Sequence, residues 1–181
     1  MPPRFLIFFG LCALQAISLT VTAGELVRIR LFKNLTEFPQ IQNAQVQKIN
    51  DRLWILKGSK LVFQKKKLSG QNLIVKSSNQ KFDVIGQFDF DRYLAGVVAS
   101  EMPTKWPMEA LNTQAIVARS FALARMYERQ NQIFHLDSDQ MDQVFQAHED
   151  PRAMQAVKNT ANIVLQNQKG EVLKAFFQAD C

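Results

Sequence analysis

Apolar residues change their spacing partway along the chain. Up to about residue 87 they come in short runs, and beyond it they recur at helical intervals. Leu26-Val-Arg-Ile-Arg-Leu-Phe32 alternates, with Val27, Ile29 and Leu31 on one face and Arg28 and Arg30 on the other, the pattern of a half-buried strand. Further short apolar runs are Leu53-Trp-Ile-Leu56, Lys60-Leu-Val-Phe63, Asn72-Leu-Ile-Val75 and Phe82-Asp-Val-Ile85. Lys57-Gly-Ser59, Lys67-Leu-Ser-Gly70 and Ser77-Ser-Asn79 separate them, with residue types that accept positive φ or bond their own backbone in turns. A spacing of about 8–12 residues predicts a small antiparallel sheet or sandwich.

The second half reads as helix. Asp89 or Asp91 can cap a helix running through Ser100. Pro103 and Pro107 interrupt the chain, and Pro107 suits the first turn of a helix over 108–130. The middle of that helix, Ala115-Ile-Val-Ala-Arg-Ser-Phe-Ala-Leu-Ala124, is apolar nearly all round, which predicts a buried central helix. Pro151 opens a short helix over 152–160, and 163–177 predicts a hairpin turning at Gln168-Lys-Gly170. The expected fold class is α+β, an N-terminal antiparallel β lobe packed with a buried central helix and a C-terminal β-hairpin. No internal repeat is present.

Composition narrows the class. With 181 residues, 47% hydrophobic and 21% charged, the chain is neither disordered nor fibrous. A core of this size needs neither disulfides nor metal. Arg4, the apolar run Phe5-Leu-Ile-Phe-Phe-Gly-Leu-Cys-Ala-Leu14 and the small residues of Val21-Thr-Ala23 form the pattern of a secretory signal over residues 1–23. Gln15 and Ser18 break the run too early for a membrane anchor, and bulky Leu11 before Cys12 disfavours a lipoprotein site. The expectation is an exported protein of the periplasm or cell wall, with no membrane span once the signal is removed. Residues 24–181 then form one domain, a β-rich lobe over 24–87 and a helical lobe over 88–181. It keeps one cysteine, Cys181, which has no intramolecular partner.

Charge and buried polar residues supply the candidate chemistry. From Arg52 to Lys81 there are eight cations and no acid. They read as solvated strand edges that discourage pairing between sheets, or as a patch for an anionic polymer; export argues against nucleic acid. On the central helix Asn112 and Arg119, seven apart, share a face, while Gln114 points elsewhere. A buried Arg must be paired or face a cleft, so Arg119 calls for a carboxylate such as Glu101, Glu109 or Asp91, or for a ligand. Glu101 sits where a helix meets a Pro-bounded turn, among Val97, Val98, Met102 and Trp106. An apolar setting raises a carboxyl pKa, as a general acid at neutral pH requires.

Tyr93-Leu-Ala-Gly-Val-Val-Ala-Ser-Glu-Met-Pro103, followed by Trp106-Pro-Met-Glu-Ala-Leu-Asn-Thr-Gln-Ala-Ile-Val-Ala-Arg-Ser-Phe-Ala-Leu123, resembles the signature of the stage II sporulation protein D family, which includes amidase enhancers. The resemblance implies a peptidoglycan lytic transglycosylase acting on glycan strands without stem peptides. Glu101 is then the catalytic acid, protonating the glycosidic oxygen and afterwards taking the proton of the muramic-acid C6 hydroxyl to leave a 1,6-anhydro product. One carboxyl serves both steps, so no second acid is required. Arg119 and Gln114 match positions of the family pattern. With Asn112 and Ser120 they are the implied substrate-binding residues.

Three departures accompany the resemblance. Asn112 stands where the family usually has Lys, and Asn162 where Gly is common. Ala175-Phe-Phe-Gln-Ala-Asp-Cys181 resembles the start of a segment that continues in the family toward a Gly-Gly motif and further strands. Two alternatives therefore stand beside the enzyme: a non-catalytic wall-binding or amidase-enhancing protein, and an inactive truncated copy. Some relatives hold zinc through His and Cys. Here His135, His148 and Cys181 are the candidates, their spacing fits no tight ligand motif, and no metal or cofactor is expected. The expected partners are peptidoglycan glycan strands and a cell-wall amidase.

Overall fold

A computed structural model describes residues 26–58, 60–68, 71–138 and 150–176; the secretory signal predicted over residues 1–23 lies outside the described residues. The strands are β1 (Leu26–Leu35), β2 (Gln45–Asn50), β3 (Leu53–Lys57), β4 (Leu61–Phe63), β5 (Lys66–Leu68), β6 (Gln71–Lys76), β7 (Phe82–Asp89) and β8 (Leu136–Asp137). The helices are α1 (Phe90–Glu101), α2 (Met108–Glu128) and α3 (Pro151–Asn159). Six strands form one sheet in the order β2-β3-β6-β7-β1-β8, and β4 and β5 form a separate hairpin. The architecture is α+β. The sheet is antiparallel except where β8 joins the edge of β1 in parallel.

Two apolar clusters organise the molecule. In the first, Val27 and Ile29 of β1 and Phe88 of β7 pack against Leu94, Val97 and Val98 of α1, Leu111, Ala118 and Phe121 of α2, and Ala153 and Val157 of α3. The alanines let the three helices approach closely, and each large aliphatic side chain buried here contributes about 1.5–3 kcal/mol. In the second, Leu56, Leu61, Leu68, Ile74 and Val84 are covered by Phe32, Phe38, Trp54, Phe63 and Phe82. Phe38 stands edge-on to Trp54 at 5.2 Å and to Phe82 at 5.4 Å. Leu31 packs against both clusters. Register shifts on either side of Phe32 re-aim β1, so Phe32 and Leu35 join the second cluster after Val27 and Ile29 have served the first.

Three strands escape the apolar pattern. All six residues of β2 are exposed, so no hydrophobic run marks it. β8 is only two residues long. β5 lies where Lys67-Leu-Ser-Gly70 predicts a turn; the turn instead falls at Gln64-Lys65, between the paired residues Phe63 and Lys66. Gln64 and Lys65 both take positive φ, 48° and 64°, and Lys60 takes 59°. Left-handed backbone costs a side chain like these about 1–2 kcal/mol per residue.

The helices follow their signals closely. Asp89 caps α1, accepting from the Arg92 N–H at 3.1 Å, and Asp150 caps α3. α2 is not buried all round, however. Leu111, Gln114, Ala115, Ala118, Arg119, Phe121 and Ala122 are buried, whereas Ile116, Val117, Leu123 and Ala124 are half-exposed, because α1 and α3 cover only part of its circumference. The predicted C-terminal hairpin is a loose ribbon with a single bridge, Gln166 to Val172, turning at Gly170 with φ 79°. Asn162, which stands where Gly is common, takes φ 63°. Among the described residues no helix is long and apolar enough to cross a membrane.

Candidate functional site

Glu101 is the last residue of α1 and is half-buried, one turn beyond the fully buried Val97 and Val98. The helix stops because Pro103 forces the preceding residue out of helical geometry: Met102 is extended, with φ −135° and ψ 145°. Its N–H still closes the last turn on the Val98 carbonyl at 3.1 Å. A tight turn follows, with the Trp106 N–H on the Pro103 carbonyl at 3.0 Å, and Trp106 is 46% exposed.

This turn is gripped from α3. Arg152 donates from Nε to the Thr104 carbonyl at 2.7 Å and from Nη2 to the Trp106 carbonyl at 2.8 Å. The Arg152 backbone is fixed in turn, since its N–H and that of Ala153 bond the Asp150 carboxylate at 2.8 and 3.0 Å. The planar guanidinium fork suits two carbonyls on one loop in a way an ammonium does not. Arg152 is not among the residues to which the sequence points. Its local signal, the capped helix start Asp150-Pro-Arg152, says nothing about a partner 46–48 residues earlier.

Arg119 is clasped at the other end of α3. It is 3% exposed. Its Nη1 donates to the Thr160 carbonyl at 2.7 Å, to Thr160 Oγ1 at 3.2 Å and to the Ile163 carbonyl at 3.3 Å, and its Nη2 to the Val157 carbonyl at 2.9 Å. The carbonyls of Val157 and Thr160 belong to the C-terminal end of α3, where the dipole also favours a cation, and that of Ile163 to the loop that follows. Burial pushes the Arg119 pKa down, and the charge of Asp91 opposes that through space. The hydrogen-bond partners are therefore backbone carbonyls and a threonine hydroxyl, in place of the expected carboxylates.

The remaining candidates disperse around α2. Asn112, on the same face as Arg119, accepts a long bond from Asn159 Nδ2 at 3.4 Å, so both residues of that face meet the end of α3. Ser120 is fully buried; it donates to the Ile116 carbonyl at 2.7 Å and accepts the Leu165 N–H at 2.9 Å, fastening the C-terminal ribbon to α2. Gln114 is 8% exposed, and its Nε2 has no hydrogen-bond partner among the described residues. It lies about 200° around the helix from Asn112. The structure thus links Glu101 and Arg119 through the two ends of α3, about 12 Å apart along its axis, and sets Gln114 and Ser120 on other faces.

A second polar cluster lies along β1. Arg28 and Arg30, read as a solvent face, are half-buried. Arg28 Nη2 donates to His135 Nε2 at 2.7 Å, and its backbone N–H lies 3.3 Å from His135 Nδ1. Arg30 forks onto Asp137 at 2.6 and 3.0 Å and reaches Asp83 at 3.4 Å. Desolvation, then the Arg28 charge, pushes His135 down to about 4. Both ring nitrogens of this zinc candidate face Arg28, and His148 and Cys181 lie outside the described residues. Among the described residues no group of three or more His, Cys, Asp or Glu is placed to hold a metal.

Residues 78–166, roughly half the chain, match the SpoIID family, stage II sporulation protein. An uncharacterized protein of Brachyspira hyodysenteriae is 32% identical over 106 residues, which cover 57% of this chain and 28% of that protein. The chain therefore spans well under half the length of that relative. No solved structure matches the chain. The match over residues 78–166 supports a cell-wall-related role for that region.

Proposed function

We propose, from the premise that residues 78–166 belong to the SpoIID family, that the protein is an exported peptidoglycan lytic transglycosylase acting on glycan strands without stem peptides. The predicted signal delivers it to the periplasm or cell wall. The observation that carries the reading is the placement of Glu101: half-buried at the end of α1, on a turn held by Arg152, with the exposed Trp106 five residues on. Glu101 gives its proton to the glycosidic oxygen as the muramic C1–O bond breaks. The resulting carboxylate takes the proton of the C6 hydroxyl, whose oxygen bonds to C1. Glu101 ends protonated, and no water is consumed.

The test is product analysis on purified glycan strands freed of their stem peptides. Wild type should release 1,6-anhydro-muramic ends, and Glu101→Gln should lower that rate at least about a hundredfold. Wild type releasing none would overturn the reading. The engagement of Arg119 with α3 favours a second reading, a non-catalytic wall-binding or amidase-enhancing protein. That reading requires glycan binding without product, at equal affinity in Glu101→Gln.

A further inference from the structure

The β4–β5 hairpin holds two lysines in a backbone conformation that lysine does not favour. Lys60 at its root has φ 59° and Lys65 at its tip has φ 64°. Positive φ belongs to Gly and, among side-chain-bearing residues, chiefly to Asn and Asp. Asn34, Asn43 and Asn162 fill three such positions in this chain, as expected. Gln64-Lys65 fills a two-residue hairpin loop for which Asn-Gly is the low-strain choice.

Neither lysine side chain recovers that cost within the fold. Both are exposed, and neither meets a carboxylate among the described residues. Lys67 on the same arm and Lys57 at the end of β3 are also exposed and without such a partner among the described residues. Strand-edge protection does not require strain, because lysines at unstrained positions give it equally. The Lys60 carbonyl accepts from Asn43 Nδ2 at 3.2 Å, a contact that any residue type would give; placing lysine in this strained backbone points to a use for the side chain. The charge balance agrees: residues 26–89 hold twelve Lys and Arg against four Asp and Glu, and residues 90–181 hold nine against eleven.

We infer that this hairpin arm is a binding surface for the peptide-free glycan strand itself, reading the free lactyl carboxylate of each muramic acid. The identity of the occupant rests on the transglycosylase reading. A stem peptide converts that carboxylate to a neutral amide, and its removal leaves a regularly spaced polyanion. A field of uncompensated ammonium groups attracts such a strand and guides it onto the protein.

The test measures equilibrium binding of labelled peptide-free strands to the full chain carrying Glu101→Gln, so that the strand survives. Binding should weaken several-fold between about 50 and 300 mM salt, and should be lost on strands whose carboxylates have been amidated. The pair Lys60→Asn with Lys65→Asn should lower affinity about three- to tenfold and yet raise Tm, because charge and strain leave together. Gln64→Gly removes strain alone, and should raise Tm by about 2–4 °C with affinity unchanged. Wild-type affinity in the double variant, a fall in its Tm, equal binding of amidated strands, or equal capture by phosphatidylglycerol vesicles would each overturn the inference. Absence of anhydro products from wild type overturns the catalytic reading alone and leaves these binding results standing.

Discussion

Arg119 and Lys65 are both cations, and the fold treats them in opposite ways. Arg119 is 3% exposed and spends its guanidinium on three backbone carbonyls and a hydroxyl. Lys65 is exposed, in strained backbone, and meets no carboxylate among the described residues. The contrast extends to the regions around them. Every cation between Leu53 and Lys81 is a lysine. In the helical half Arg119, Arg129 and Arg152 each donate to a carbonyl at least six residues away. Guanidinium forks tie backbone together, whereas ammonium groups on flexible stems remain point charges available to solvent or ligand. The helical half uses guanidinium forks to hold its backbone in shape, as Arg28 and Arg30 do on β1, whereas the stretch from Leu53 to Lys81 carries lysines alone.

The largest test of that contrast is Arg119→Met. Removing the fork takes a charged donor from the carbonyls of Val157, Thr160 and Ile163 and should cost about 3–4 kcal/mol in urea unfolding. A loss below about 1 kcal/mol would mean that Arg119 is not a clasp. Acid comes next. His135 titrates near 4 in the fold, below its ordinary value of 6.5, so the unfolded chain binds its proton first as pH falls. Its contribution is fully present above about pH 6.5 and is lost down to about pH 4, roughly 3 kcal/mol in all. The stability difference between wild type and His135→Asn, followed from pH 7 to 4, should shrink over that window; a constant difference contradicts it.

Gly86→Ala probes the strand that both halves share. A Cβ there would lie 2.6 Å from the Phe88 ring and 2.9 Å from Leu31 Cδ1. We expect a loss of about 2 kcal/mol, seen as one lower-temperature transition rather than the melting of one half alone. Arg152→Gln is the smallest effect, about 1 kcal/mol in stability. Faster amide hydrogen exchange over residues 102–107 should accompany it, and Arg152→Lys should not restore protection. Unchanged exchange would remove Arg152 from the support of Glu101.

Much of the fold was legible because local chemistry enforces it. The alternation through Val27 and Ile29, the Asp89 cap, the stop before Pro103 and the start after Asp150 all act within a few residues. β2 leaves no apolar trace because neither of its faces is covered, and β5 reads as a turn because Gln64-Lys65, where the chain does turn, lacks turn-type residues. The position of Glu101 at a helix end before Pro103 is legible in the chain; its proposed role rests on the family resemblance. Asn112 and Arg119 were rightly paired on one face, but what that face meets was not. Ser120 showed no sign of fastening the ribbon at Leu165, forty-five residues on.

What the sequence determined by itself is the order and type of most elements, the Pro-bounded turn after Glu101, and the run of cations without acids. These depend on backbone preferences and periodicity, which act over one or two turns of chain. Only the tertiary structure decided that Arg119 faces the end of α3, that Arg152 grips the turn after Glu101, that Arg28 and Arg30 lie against β8, and that Lys60 and Lys65 sit in left-handed backbone. A hydrogen bond forms wherever a donor finds an acceptor in space, and pairs separated by 38 to 107 residues leave no periodic trace in the chain.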